Sequence, residues 1–123
     1  MANEISVAGQ LIYEDSEGTS EYLQLAEKLL TITTKKYVKH KQNIGTSEEA
    51  LDKGELAAIG WMIFKNLDAT NFVELRSATG AANDVIKVPP ASFALFHWGS
   101  DVTAPFAIAN TAACQCEYLL LST

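Results

Sequence analysis

More than half of this chain consists of short apolar runs separated by turn residues. The length of these runs limits the folds that the chain can adopt. From Leu56 onwards the runs are LAAIGWMIFKN, NFVELRS, VIKVPP, SFALFHW, PFAIAN and ACQCEYLLL. Each run has the length of a β-strand and is bounded by Gly, Pro, Asn, Asp or Ser, which is the usual pattern of an antiparallel sandwich or barrel. No segment of the sequence shows the length and period of a core-forming helix. The pattern therefore predicts an all-β protein of about eight strands.

The N-terminal third has a weaker pattern. Residues 4 to 13, EISVAGQLIY, alternate between polar and apolar side chains and predict a half-buried strand, and the polar EDSEGTS that follows predicts a turn. Residues 21 to 30 fit both a helical stripe and a strand, and we favour the strand. Residues 31 to 42, TITTKKYVKHKQ, are rich in β-branched side chains and also predict a strand.

One segment, GTSEEALDKG at residues 45 to 54, carries the signals of a helix start and stop. Thr46 has the position of an N-cap, Glu49 three residues later completes a capping box, and Gly54 ends the segment. The sequence therefore predicts one short helical turn near residues 46–53, acting as a connector.

The size and charge of the chain limit its function. Its 123 residues fit a single domain over residues 1–123. Fifteen acidic and nine basic side chains give a formal charge of −6, which opposes binding to free nucleic acid or to an anionic membrane. The N-terminus lacks the features of a secretory signal, and no apolar stretch approaches the ~20 residues that span a bilayer. We expect a protein that is made in the cytosol and is not embedded in a membrane.

The final predicted strand has two distinct faces. One face carries Cys114, Cys116, Tyr118 and Leu120, and the other carries Leu119 and Leu121. Neighbouring cysteines of this kind are poorly placed for a mutual disulfide and have no further ligand at zinc-site spacing, so we interpret them as small buried hydrophobes. Strands that are apolar on both faces need a cover on the second face, which predicts an oligomer interface. Its candidate residues are Leu119, Leu121, Phe96 and Trp98.

The residues Asn66, Asp68 and Asn71 stand together in NLDATN, between two predicted strands. Asn and Asp side chains bond to their own backbone and tolerate left-handed dihedral angles. The segment therefore predicts a hairpin connection.

The sequence contains no recognisable catalytic motif. His40 lies among lysines and His97 in an aromatic strand, without a nucleophile motif beside them, and the GxxxxGK and GxGxxG phosphate-binding spacings do not occur. Residues 14 to 18 are acidic but miss the spacing of an EF-hand, so a solvated turn explains them better than a calcium site. We expect no enzymatic activity, no metal and no cofactor. A sugar-binding module is the alternative, with exposed aromatic rings as its contacts. Its candidates are Trp61, Phe93, Phe96 and Trp98.

Four segments occur in an order that resembles a group of small bacteriophage virion proteins. They are GTSEEALDKGEL, GWMIFKNLDATNFVEL, VIKVPPASFALFHW and PFAIANTAACQCEYLLL, and they cover roughly residues 44 to 122. Pro90-Ala91-Ser92 stands where that group often has Pro-Gly-Glu, Phe72 replaces its usual Tyr, and residues 1 to 43 match weakly.

This resemblance implies an antiparallel jelly-roll-like β-sandwich that is packed into a phage particle and has no enzymatic activity. It implies that Asn66, Asp68 and Asn71 organise a corner of the sandwich. The implied function is that of a capsid cement or decoration protein, which stabilises the head by bridging capsomers. The expected partners are further copies of the chain, with a trimer favoured, and the major capsid protein on the exterior of a virion assembled in the host cytoplasm. The alternative is a tail or neck component, including a host-glycan-binding module.

Lysines cluster in the strand predicted at residues 31 to 42. Lys35, Lys39 and Lys41 share one face with Tyr37 if the strand is regular. They predict either an edge strand protected from aggregation or a basic patch that docks onto an acidic capsid surface. Binding through such a patch should weaken with salt.

Overall fold

The computed structural model describes residues 5–30 and 36–123, and regular structure in that part of the chain is almost entirely β-strand. The strands are β1 (Ile5–Glu14), β2 (Ser20–Leu30), β3 (Tyr37–Ile44), β4 (Glu49–Ala50), β5 (Ile59–Asn66), β6 (Val73–Arg76), β7 (Asp84–Val88), β8 (Phe93–His97), β9 (Phe106–Ala109) and β10 (Cys114–Ser122), with one 3-10 turn at Ala81–Asn83. The chain divides into two compact units, Met1–Thr33 and Thr34–Thr123. The sandwich lies in the second unit, whereas the sequence suggested one sandwich over residues 1–123.

Strands β1 and β2 form an antiparallel hairpin in the first unit. Leu11 lies opposite Leu23, and Ile12 lies opposite Tyr22. A bulge between Val7 and Gly9 shifts the register. The strand interpretation of residues 21 to 30 is confirmed.

The turn between these strands is organised by Asp15. Its Oδ1 accepts hydrogen bonds from the N–H groups of Thr19 (2.9 Å) and Glu17 (3.0 Å). The bond from Thr19, followed by the one from Glu17, holds the pKa of the Asp15 carboxyl below its ordinary value of 3.8. Gly18 has a φ of 88°, in the left-handed region that favours glycine. The acidic carboxylate at this turn is therefore used to fold the backbone.

The second unit is a sandwich of two four-stranded antiparallel sheets. One sheet has the order β3-β10-β5-β8, and the other has the order β4-β9-β6-β7. The antiparallel pairs β3 with β10, β4 with β9, β5 with β8 and β6 with β7 alternate between the two sheets. A long antiparallel ribbon rolled up in this way is a jelly roll. The predicted fold class is confirmed, as are about eight strands for the sandwich.

Alternating side chains from both sheets fill the core of the sandwich. On β10 the buried side chains alternate with half-buried or exposed ones along the whole strand. The core includes Ile44, Met62, Phe64, Val73, Leu75, Val88, Ala107, Cys116, Tyr118 and Leu120. Cys114 and Cys116 are free and buried, as predicted.

The helical turn predicted near residues 46–53 is wrong. Glu49 and Ala50 form strand β4, which pairs with β9. The Glu49 carboxylate does reach back to the start of the segment, where it accepts a hydrogen bond from the Gly45 N–H (3.0 Å). However, Gln42 of β3 donates to the Ala50 carbonyl (3.0 Å), so this segment is held extended. Pairing with a distant strand therefore overrides a local capping signal.

A largely buried arginine joins several segments on the outer side of the second sheet. The Arg76 guanidinium donates to the carboxylates of Asp84 (2.6 Å), Glu48 (2.7 Å) and Glu74 (3.2 Å). The bond from Arg76, followed by one from the Gly80 N–H, holds the pKa of Glu48 below its ordinary value of 4.5. One charged network therefore links β6, β7 and the loop before β4.

Replacing Arg76 with Met should lower the melting temperature at pH 7, because it leaves three carboxylates close together without their shared cation. The difference from the wild type should shrink as the pH falls below 4.5. Stabilisation by ionised Glu48 is present above that pH, and it is lost as the pH falls through the lowered pKa of the folded state. Thermal unfolding followed by circular dichroism between pH 3 and about 7 measures both effects.

The matched control is Lys87→Met, which removes a cation that lies 3.6 Å from Glu74 but is mostly exposed. It should change the melting temperature much less than Arg76→Met. Equal effects of the two substitutions at neutral pH, or a difference that does not depend on pH, would contradict the role given to Arg76.

Candidate functional site

The first sheet presents a mixed apolar and basic surface on the side away from the core. We name this surface the outer face. Its residues are Tyr37, Lys39 and Lys41 of β3, Trp61, Ile63 and Lys65 of β5, Phe93, Leu95 and His97 of β8, and Glu117, Leu119 and Leu121 of β10.

Strand register places the apolar members of the outer face side by side. Leu119 lies opposite Lys39 on one side and opposite Ile63 on the other, and Ile63 lies opposite Leu95. Directly opposite side chains of antiparallel strands are close enough to touch. An apolar band therefore crosses from β10 to β8, with a lysine at its β3 end.

Two aromatic side chains extend this band. Phe93 at the start of β8 is 65% exposed. Trp61 is half-buried and packs edge-on against His97, with 5.2 Å between the ring centroids. A continuous apolar surface of this kind, bordered by charged groups, is typical of a site that contacts another molecule.

The four predicted interface residues fall on opposite sides of the sheet. Leu119 and Leu121 lie half-buried on the outer face. Trp98 is only 2% exposed, and its indole N–H donates to the sulfur of Met62 (3.3 Å). The ring centroids of Phe96 and Trp98 are 4.8 Å apart. Phe96 is partly buried against the core and Trp98 lies within it, so neither lies on the outer face with Leu119 and Leu121.

Sequence reasoning missed Ile63 and Leu95 as members of the outer face. The signal that could have found them is the two-residue period of their strands. In WMIF and FALF, however, the side chains of both phases are apolar, so the pattern does not show which phase faces inward. The register against β10 resolves this ambiguity.

The lysines of the outer face lie along its β3 side and its centre. Lys39 and Lys41 are exposed on β3, an edge strand of the described sheet, on the same side as Tyr37. Lys65 lies 3.9 Å from Glu117. The third lysine of the predicted patch, Lys35, lies outside the described residues. The outer face thus carries three lysines and one glutamate among its described members.

Asn66 is the centre of a corner formed by the loops that follow β5, β7 and β9. Its side chain is almost completely buried, and its Nδ2 lies within hydrogen-bonding distance of the carbonyls of Asn71 (2.8 Å), Val88 (3.2 Å) and Pro89 (3.2 Å). Its Oδ1 accepts from the Asp68 N–H (3.0 Å). One buried amide therefore satisfies backbone groups of two separate loops.

Asp68 and Asn71 complete the same corner. The Asp68 carboxylate accepts hydrogen bonds from the N–H groups of Asn71 (2.6 Å) and Thr70 (3.0 Å). These bonds, with that from Asn71 the strongest, hold the pKa of Asp68 below its ordinary value of 3.8. Asn71 in turn accepts from the Thr111 hydroxyl. Asn66 and Asp68 thus bind backbone groups with their side chains, and the Asn71 side chain links the same corner to the Thr111 side chain.

A strained residue faces this corner. Ala91 has a φ of 55°, in the left-handed region that alanine seldom adopts, and its N–H donates to the Asp68 carbonyl (2.8 Å). The corner therefore imposes a glycine conformation on a residue with a side chain.

The titratable side chains of the sandwich do not form a recognisable catalytic arrangement in the described ranges. His40 lies 3.7 Å from Asp52, and both side chains are about half exposed. Burial raises the pKa of the Cys116 thiol to about 12, which keeps it protonated and unreactive at neutral pH. Burial also raises the pKa of Tyr118, whose hydroxyl donates to the Asp52 carbonyl (2.6 Å). These groups serve the packing of the sandwich.

Among residues 5–30 and 36–123, no group of three or more His, Cys, Asp or Glu side chains is placed to hold a metal ion. The same residues include no helix that is long and apolar enough to cross a membrane.

Comparison with known proteins yields no matching family model, no matching curated protein and no matching solved structure.

Replacing Asn66 with Asp should destabilise the sandwich by about 2–4 kcal/mol, because it turns a buried donor into an acceptor that faces three carbonyls. The matched control is Asn43→Asp, which makes the same chemical change at an exposed position of β3 and should cost less than about 0.5 kcal/mol. Urea unfolding at neutral pH measures both. Similar losses in the two variants would show that Asn66 does not organise the corner.

Replacing Ala91 with Gly should stabilise the sandwich by roughly 0.5–1 kcal/mol, because relief of the left-handed strain exceeds the added backbone entropy. Ala78→Gly is the control, since Ala78 is an exposed loop alanine outside the left-handed region and should be unchanged or slightly destabilised. The urea midpoint should rise only for Ala91→Gly. A fall in that midpoint would mean that the Ala91 side chain contributes packing that outweighs its strain.

Proposed function

We propose that this chain is a non-enzymatic structural protein of a bacteriophage virion, acting as a cement or decoration protein on the capsid exterior. The observation that carries the proposal is the outer face, an apolar band on a jelly-roll sandwich with Lys39 and Lys41 along its β3 edge. The segments that resemble virion proteins, residues 44 to 122, lie within the unit that forms this sandwich. Sequence resemblance and surface chemistry thus support the same kind of role.

In this proposal the outer face is used for assembly. Its apolar band lies against further copies of the chain, with a trimer favoured, and its edge lysines contact an acidic surface of the major capsid protein. Each bound protein adds contacts between neighbouring capsomers, so the pressure of the packaged genome must break more interactions before the shell opens. Binding to the assembled shell alone stabilises that shell by mass action.

The second candidate is a tail or neck component that binds host glycans. The observation that favours it is the exposure of Phe93. Half-buried Trp61 lies on the same face, on the neighbouring strand β5. Exposed aromatic rings stack on sugars. Saturable binding to host-cell glycans that is abolished by Phe93→Ala, with no binding to heads, would favour this candidate.

The proposed function predicts salt-sensitive binding to heads. The purified protein should co-sediment saturably with expanded empty heads assembled from the major capsid protein of the same phage genome. Lys39→Glu should weaken binding by about tenfold, and raising the salt concentration should weaken wild-type binding, because exposed charges drive the contact.

The matched control for this experiment is Lys87→Glu, which makes the same charge change on the second sheet, away from the outer face. It should bind like the wild type. Absence of wild-type binding to heads at low salt would contradict the capsid role, and equal weakening by Lys39→Glu and Lys87→Glu would contradict the docking edge.

A further inference from the structure

The hairpin of β1 and β2 exposes large apolar side chains to water on one face. Leu11 and Leu23 form a cross-strand pair, and each is 79% exposed. Tyr13 and Leu25 lie on the same face of the ribbon and are more than half exposed. A two-stranded hairpin is marginally stable unless one of its faces packs against something. This face, defined by Leu11, Tyr13, Leu23 and Leu25, is named the hairpin stripe.

The size of the hairpin stripe matches a protein interface. Its four side chains expose on the order of 500 Å² of mainly apolar surface. Standard interfaces bury ~800 Å² per partner, of which a little more than half is apolar. The stripe is therefore large enough to form the apolar part of one specific contact.

The charges of the hairpin identify the kind of surface it fits. Residues 5–30 contain five acidic side chains and one lysine. Four of the acidic residues, Glu14, Asp15, Glu17 and Glu21, lie at or beside the turn. The hairpin is thus an apolar stripe with an acidic tip, and complementary partners carry an apolar band beside basic groups.

The outer face of the sandwich has this complementary chemistry. Its apolar band from Leu119 through Ile63 to Leu95 lies beside a row in which Lys41 and Lys65 flank Glu117. The two surfaces belong to the same polypeptide, so every copy that carries one also carries the other. A second copy of the chain is therefore a partner that offers an apolar band and charges of opposite sign.

We propose that the hairpin of one copy packs onto the outer face of a second copy, with the hairpin stripe over the apolar band and the acidic tip beside Lys41 and Lys65. The contact is heterologous, because a different surface is used on each partner. Heterologous contacts close into rings when the rotation between copies permits. The proposed function places further copies of the chain on the outer face, and this contact specifies which part of a copy lies there; it does not require binding to a capsid. Lys39, at the β3 edge, remains available for a further partner.

Two double variants separate the two halves of this contact. The hairpin variant is Leu11→Asp with Leu23→Asp, and the face variant is Phe93→Asp with Leu95→Asp. The control is Val85→Asp with Ile86→Asp, which changes two exposed aliphatic residues on β7, the corresponding edge strand of the second sheet. Circular dichroism and thermal unfolding of each variant show whether the sandwich stays folded.

Light scattering after size-exclusion chromatography is the measurement. The wild type and the control should have the mass of an oligomer, whereas the hairpin variant and the face variant should each have the monomer mass of 13.3 kDa. Mixing the two monomeric variants should restore one intact contact and give a dimer. This dimer cannot grow further, because its remaining hairpin and its remaining outer face are both defective. The dimer should also weaken as the salt concentration rises.

Four outcomes would overturn the proposal. The first is a monomeric wild type at tens of micromolar, and the second is a hairpin variant that remains oligomeric. The third is a mixture of the two variants that stays monomeric, which would indicate contacts between like surfaces. The fourth is a face variant that remains oligomeric. A monomeric wild type whose binding to heads is lost in the hairpin variant would assign the hairpin to the capsid protein. Failure of head binding alone would contradict the proposed function and leave the contact between copies intact.

Discussion

The sandwich depends on the pairing of its last strand with two distant ones. β10 lies between β3 and β5, and its residues Cys114 to Leu121 pair continuously with β3. Bringing these segments together closes long loops, and the entropy of that closure is lost before the contacts form. Burial of Tyr118 and Leu120 between the sheets supplies the compensating free energy. Side-chain alternation on β10 therefore decides which sides of its neighbours become core.

The outward sides of the two sheets carry different kinds of side chain. On the second sheet, Arg76 holds three carboxylates in a hydrogen-bonded network that keeps a net negative charge. On the first sheet, the outer face combines leucine, isoleucine and aromatic side chains with lysines. Removing apolar side chains from water lowers the free energy, so this sheet and the hairpin gain stability when another surface covers them.

Prediction succeeded where a pattern was local and failed where distant pairing decided the outcome. The strands, the buried cysteines and the polar corner at Asn66 follow from alternation and from the chemistry of Asn and Asp. The helical turn near residues 46–53 was wrong because Gln42 and β9 hold that segment extended. Phe96 and Trp98 were placed at an interface because their run is apolar in both phases, which leaves the inward phase undetermined.

The spacing of apolar side chains and turn residues is a local property, and it is enough to predict that the chain forms short strands. The chemistry of Asn and Asp also predicts that the side chains of Asn66 and Asp68 bond to nearby backbone N–H groups. Tertiary contacts determine which apolar residues reach the solvent, how Asn66 joins separate loops, and that Ala91 adopts a left-handed conformation. These features depend on strand register and on contacts between segments far apart in the chain, and a local pattern carries no information about either.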